Sequence, residues 1–341
     1  MKTILVTGAA GYVGATTVLH LRDRGFRVLG VDDLSNGDAA FLGLSDLGVE
    51  LDVRTGGPLV ELLRAERVSG IVHCAAYAVV ADSVRDPVGY FENNIRGSST
   101  VIDAAVRAGK IPVVFSSSAT VYGAPDVSPI FETAPRLPIH PYGFTKLAGE
   151  RALEFADRAH GLRSVSLRYF NAAGADPSGR AGERHVIETR VLPNLLRAVF
   201  TVDSPFQMAG DDWPTADGTC VRDYVHTSDI AAAHLAALQY LWAGGRTEAV
   251  NIGGGGPGTS VRELIRAVES ATGRRVPIEV GPRRPGDAPV LVASIERASA
   301  VLGWAPTASN LDNIVRTAAA WHEHELQRYP RRPSDLFQLE D

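Results

Sequence analysis

Tyr142 and Lys146 stand four residues apart in PYGFTKLAGE, downstream of the serine run FSSSATVYG. Four residues is about one helical turn, so on a helix both side chains project from the same face. An ammonium beside a phenol favours the phenolate and lowers a pKa that starts near ~10. The pair therefore makes a base usable near neutral pH, provided a substrate hydroxyl is brought to it. Ser118 is the residue in the serine run suited to hold that hydroxyl. Helix surfaces also carry such pairs without function, so the partner groups must come from elsewhere in the chain.

The first of these groups lies at the start, in KTILVTGAAGYVGATTVLHLRDRGFRVLGVDDLSNG. Ile4 to Thr7 read as a buried strand and the apolar positions from Val13 to Leu21 as an amphipathic helix. Between them Gly8, Gly11 and Gly14 have Gly-x-x-Gly-x-x-Gly spacing. Glycines are needed where a backbone turns sharply and approaches a pyrophosphate at a helix N-terminus, whose free N–H groups favour an anion. A second apolar strand, 27–31, ends in Asp32, roughly 20 residues past the loop. An acid there accepts from the adenine ribose hydroxyls and repels a 2′-phosphate, so the predicted cofactor is NAD rather than NADP.

The elements that must position these residues alternate. Strands are predicted near 3–7, 27–31, 49–51, 70–74, 111–116 and 164–168, with helices between them. That is the rhythm of an α/β fold with a doubly wound parallel sheet. Ser116 to Ser118 come directly after the fifth strand, at its carboxyl end, where such sheets place ligands. From about 171 the rhythm breaks into loops rich in Gly, Pro and Asp (172–185, 203–221, 253–258, 281–289). The expected division is a nucleotide domain over 1–170 with a segment returning to it at about 221–251. A smaller, discontinuous α/β substrate lobe spans 171–330 and a tail 331–341, with the chain from Tyr329 expected to be poorly ordered. Gly253 to Gly256 precede Ser260-Val-Arg-Glu263, a capping box, and read as loop and cap rather than a second phosphate loop.

A chain of 341 residues with 45% hydrophobic content buries a large core. A net charge of −5 carries no basic footprint for nucleic acid. Apolar stretches are strand-sized, so no membrane span and no signal peptide are expected. The two cysteines suggest no disulfide framework, and the nine histidines show no zinc spacing, so no metal is predicted. A cytoplasmic enzyme is the expectation.

The glycine spacing together with Tyr-x-x-x-Lys resembles the extended short-chain dehydrogenase/reductase superfamily. SSSATVYG (116–123), HPYGFTK (140–146), LRYFNAAGADPSG (167–179), GDDWPTADGTCVRDYVHTSDIA (210–231) and PRRPGD (282–287) narrow the resemblance to the UDP-glucose 4-epimerase family, from about residue 2 to about 322. The resemblance implies a Rossmann-like fold, NAD as cofactor, and interconversion of UDP-glucose and UDP-galactose through a transient 4-keto sugar nucleotide. It implies Tyr142 as base and then acid, Ser118 as its hydrogen-bond partner, and Lys146 on the nicotinamide ribose.

For the cofactor it implies Gly8, Gly11, Tyr12, Val13, Gly14, Asp32, Asp33, Leu34, Ser35, Asn36, Gly37, Asp52 and Val53. Cys74, Ala75, Ala76, Tyr77, Asn94, Ser116 and Phe170 complete that set. For the UDP-sugar it implies Asn171, Arg190, Val191, Ala209, Arg222, Arg284, Asp287 and Leu291 beside Ser118 and Tyr142. The forked guanidinium groups of Arg222 and Arg284 match phosphate oxygens. A homodimer is also implied, paired through helices at about 92–108 and 144–160.

Four positions depart from the family pattern. HCAAYAVVADS (73–83) lacks the lysine usual near Tyr77 or Ala78. Arg190 stands where an Asn or His is usual, and Ala209 replaces an aromatic residue that lies against the uracil. Leu291 occupies the position that sets how bulky a C2 substituent is accepted. N-acetylated and thymidine-linked sugars therefore remain open beside UDP-glucose and UDP-galactose. A dehydratase would need an acid pair straight after the active-site hydroxyl, where Ala119 and Thr120 stand. A reductase that releases its product, and a non-catalytic NAD-binding sensor, are the other readings. The sensor would have no use for Ser118, Tyr142, Lys146, Arg222 and Arg284 together.

Overall fold

A run of five buried residues, Thr3–Thr7, forms the first strand, and burial on both faces is what a central parallel strand requires. The computed structural model describes residues 1–184, 189–201, 204–284 and 286–328. The expected disordered tail lies outside the described residues, as do 185–188, 202–203 and 285. The described strands are β1 (Thr3–Thr7), β2 (Arg27–Asp32), β3 (Leu47–Glu50), β4 (Val68–His73), β5 (Val113–Ser118), β6 (Ser164–Tyr169) and β7 (Asn171–Ala173). They continue with β8 (Phe206–Ala209), β9 (Val221–Arg222), β10 (Tyr224–His226), β11 (Glu248–Ile252), β12 (Thr259–Ser260), β13 (Ile278–Gly281) and β14 (Val290–Leu291).

Seven of them make one parallel sheet in the order β11-β6-β5-β4-β1-β2-β3. The direction of winding reverses between β1 and β4, and a crevice opens there at the carboxyl ends. Helices cover both faces. Tyr12–Asp23 and Thr227–Trp242 share one core with Val6, Val18, Ile230 and Leu238, while Gly56–Ala65, Gly97–Arg107 and Pro141–His160 share another with Leu5, Leu59, Val101 and Leu153. The doubly wound expectation holds.

Two boundaries differ in a way that matters for the site. Ser116 to Ser118 do not follow the fifth strand but are its last three residues, because their backbone stays in register with Leu167 to Tyr169 of β6. The helix expected over 92–108 begins as a π-helical segment, Phe91–Arg96, before the α-helix Gly97–Arg107.

The later chain builds a smaller unit from the pairs β8–β13 and β7–β10 and the sheet β12-β9-β14. Its helices Val191–Phe200, Val261–Thr272 and Leu311–Arg328 bury Leu195, Leu264, Val268 and Ile314 in a core of their own. Ser260 and Glu263 form the expected capping box, so the Gly253–Gly256 stretch is a loop leading into a helix. Residues 221–226 pair within the smaller sheets, and the return to the large sheet is made by Thr227–Trp242 and β11.

Candidate active site

The glycine loop is built for close approach. Gly8 has φ +69°, and a Cβ there would lie 2.6 Å from the Ala75 nitrogen; a Cβ on Gly14 would lie 1.9 Å from the Gly8 oxygen. No side chain caps the Tyr12–Asp23 helix at Gly11, so its first-turn N–H groups are left for a ligand. Asp32 ends β2, buried, with its carboxylate accepting from the Ala10 N–H at 3.0 Å and the Leu34 N–H at 2.9 Å. Burial raises its pKa. Asp33, Ser35, Asn36 and Gly37 wrap past this carboxylate, where a Cβ on Gly37 would meet Ala10 at 2.6 Å. These features fit the pyrophosphate and ribose of NAD.

Other expected cofactor residues have internal partners. Asp52 pairs with Arg54 at 2.8 Å, and Val53 belongs to the core. Asn94 is buried and clamps the loop after β4: it accepts from the Tyr77 N–H, donates to the Tyr77 carbonyl, and reaches Thr145 at 3.0 Å. The Tyr12 phenol donates to the Gly174 carbonyl and its ring lies under the Arg190 guanidinium, 5.5 Å away.

A cavity of about 1180 Å³ opens at the ends of β5 and β6 and brings together Ser118, Tyr142, Lys146, Phe170, Asn171, Arg190, Val191, Ala209, Arg222, Arg284, Asp287 and Leu291. Val13, Cys74, Ala76 and Ser116 line it from the nucleotide side. Ser118, at the end of β5, accepts from the Thr120 N–H at 3.2 Å and hydroxyl at 3.0 Å. Pro141 opens the helix that carries Tyr142 and Lys146, and the His140 Nδ1 caps it by accepting from the Gly143 N–H at 3.1 Å.

Lys146 is buried and donates to the Ser116 carbonyl at 2.8 Å, while its Nζ lies 5.8 Å from the centre of the Tyr142 ring. The expected depression of Tyr142 by Lys146 is not present in this geometry. Burial pushes the Tyr142 phenol up, opposed by its hydrogen bond with Ser118 and by the charge of Arg190. Burial also lowers Lys146 to about 8. The cause in both cases is low polarity around the charged form, with the ammonium aimed at a backbone carbonyl rather than at the phenol oxygen.

The substrate side is partly braced. Arg222 donates to the carbonyls of Val221 at 2.9 Å and Ala288 at 2.8 Å and lies 3.7 Å from Asp287. Arg190 is ion-paired with Glu183. The Ala209 carbonyl accepts from the Trp213 indole at 2.9 Å, but that ring is buried and covered by Arg283, so it does not replace an aromatic at 209. Leu291 packs beside Val121, Tyr122 and Ile130.

Three features escaped sequence reasoning. The His140 cap was legible as a residue preceding Pro141. Glu150, one turn beyond Lys146, makes a buried fork with Arg168 at 2.8 and 2.7 Å and accepts from Ser117 at 2.6 Å. Arg197 also lines the cavity, seven residues beyond Arg190 on one helix.

A glycine-loop nucleotide site and a Ser–Tyr–Lys group at the carboxyl edge of a doubly wound sheet define a nicotinamide-dependent enzyme acting at a hydroxyl-bearing carbon. Residues 4–253 match the NAD dependent epimerase/dehydratase family, and the chain belongs to it. It is 43% identical to a UDP-glucose 4-epimerase of Lacticaseibacillus casei, covering 97% of this chain and 99% of that one. Its fold is similar to that of UDP-glucose 4-epimerase from Brucella ovis in complex with NAD, with a TM-score of 0.91 and 41% identity over 94% of this chain and 98% of the other. The enzyme from Stenotrophomonas maltophila, with bound NAD and formylated UDP-arabinopyranose, gives a TM-score of 0.92 at 37% identity over 96% and 100%.

Proposed function

We propose that this chain is an NAD-dependent UDP-glucose 4-epimerase, an isomerase that interconverts UDP-glucose and UDP-galactose. The observation that carries this reading is the joining of Ser118, Tyr142 and Lys146 to Arg222, Arg284 and Asp287 in one cavity, with Ala119 and Thr120 after Ser118. A dehydratase needs an acid pair at those two positions. Here Thr120 only donates to the Ser118 hydroxyl.

Gly8, Gly11, Gly14 and Asp32 hold NAD, with Lys146 toward its nicotinamide ribose. Bound NAD supplies a reversible hydride acceptor. Tyr142 takes the proton from the C4 hydroxyl and returns it after the 4-keto sugar has turned over, and Ser118 holds that oxygen through both halves. Arg222 and Arg284 retain the diphosphate while the sugar rotates, and Asp287 accepts from the ribose.

The reading extends to a cytoplasmic homodimer. No helix among the described residues is long and apolar enough to cross a membrane. Phe144 and Phe155 on the Pro141–His160 helix, with Val84, Val88 and Phe91 from nearby segments, are exposed hydrophobics. The Phe91 and Phe144 rings lie 5.7 Å apart, and such apolar patches mark contact surfaces.

The test is incubation of the purified protein with UDP-galactose and chromatography of the sugar nucleotides. UDP-glucose accumulating to an equilibrium mixture without added NAD supports the reading. Release of a 4-keto or 4-keto-6-deoxy product would replace it.

A further inference from the structure

We propose that Arg197 reads the nucleotide base, donating hydrogen bonds to the carbonyl oxygens of a pyrimidine-dione. This deepens the epimerase reading above and rests on it. The Val191–Phe200 helix buries Leu192, Leu195, Leu196 and Ala198 in the smaller core, which leaves Arg190, Asn194 and Arg197 along the cavity side. Arg190 is ion-paired with Glu183 and Arg222 is held by two carbonyls. Arg197 differs: its Nε is buried without a hydrogen-bond partner, and no carboxylate among the described residues pairs with its guanidinium. A buried donor left unmade is costly, and an oxygen on the cavity's ligand removes that cost.

Position selects the part of the ligand. Arg190 lies over Tyr12, and its charge reaches the Tyr142 phenol at the catalytic end. At a rise of about 1.5 Å per residue, Arg197 stands about 10 Å farther along the helix. With the hexose at Tyr142 and the diphosphate beyond it, the nucleoside is what reaches Arg197. The Phe206–Ala209 strand, which ends on a small side chain, lines the same cavity.

Chemistry selects the base. A guanidinium only donates. Uracil and thymine present carbonyl oxygens to it, whereas cytosine presents an amino donor in place of one of them. Arg197 therefore accepts UDP and dTDP and disfavours CDP.

The experiment is calorimetric titration of UDP and CDP into the protein as purified, for the wild type, Arg197→Met and Arg197→Gln. The expected result is UDP binding about tenfold tighter than CDP in the wild type. Arg197→Met should weaken UDP by about tenfold and CDP little, collapsing the ratio, with the thermal midpoint kept. If UDP and CDP weaken equally, Arg197 is a phosphate contact and the proposal is overturned. An unchanged ratio overturns it as well. Should Arg197→Met fail to fold, Arg197→Gln keeps the test, because its carboxamide both donates and accepts, so CDP should gain on UDP and the ratio again fall toward one. A wild type that does not interconvert UDP-glucose and UDP-galactose overturns the epimerase reading instead, whatever the binding ratio.

Discussion

Lys146 lies one helical turn from Tyr142, yet its ammonium hydrogen-bonds the Ser116 carbonyl at 2.8 Å and stands 5.8 Å from the centre of the Tyr142 ring. The pair is thus arranged with the lysine as an anchor between helix and strand β5. The phenol answers to Ser118 and Arg190. Tyr142→Phe should lower turnover of UDP-galactose by ~10²–10⁴-fold, the usual cost of losing a general base, while NAD stays bound. Initial rates and the cofactor content of the purified variant check both halves; a near-normal rate removes Tyr142 from the mechanism.

Arg190 and Ser118 are the groups that lower a Tyr142 phenol otherwise raised by burial. Arg190→Met should then move the alkaline rise of kcat to higher pH, since the phenolate is the active base and has lost a favourable charge. A pH–rate profile unchanged from pH 6 to 10 would disconnect Arg190 from the phenol.

Glu150 and Arg168 are each 2% exposed and share two hydrogen bonds beneath the strand that ends in Ser118. Glu150→Gln leaves the buried guanidinium without its counter-charge and should cost about 3–5 kcal/mol of stability. Urea unfolding measures it. A midpoint equal to that of the wild type would show that the pair contributes no net stability.

Acid should destabilise the fold before it titrates most carboxylates. Burial lowers His73 and His234 to about 3. Their folded pKa values lie below the unfolded value of about 6.5, so the unfolded chain binds protons first as pH falls from about 6.5 toward 3. Asp223, raised to about 6 by burial, acts in the opposite sense, because its folded form holds a proton between about 6 and 4. Burial lowers His20 to about 4 in the same sense, and the balance is a loss of about 4 kcal/mol between pH 7 and pH 5. Urea midpoints at those two values test it, and a midpoint higher at pH 5 contradicts it.

Phe155 is 61% exposed on the helix that also carries the catalytic pair. Phe155→Asp should convert a dimer to monomer, since a carboxylate in an apolar contact loses its hydration. Light scattering at micromolar concentration decides, and a wild type that is already monomeric rejects the dimer.

The one-turn spacing of Tyr142 and Lys146, the glycine loop ahead of Asp32 and the capping box at Ser260 were all legible in the sequence. Each is a local relation, set by the helical and strand periods and by the backbone freedom of glycine. The alternating rhythm likewise determined the parallel sheet. Tertiary structure alone decided where the charges went. Lys146 reaches a carbonyl 30 residues away, Glu150 meets Arg168 across 18, and Asn94 ties Tyr77 to Thr145. It also decided that Arg190 is paired while Arg197 keeps a buried Nε without a partner. These outcomes depend on which surfaces the crossover connections press together, and burial then sets the cost of every charge left there. That cost is a property of packed neighbours, and no spacing along the chain encodes it.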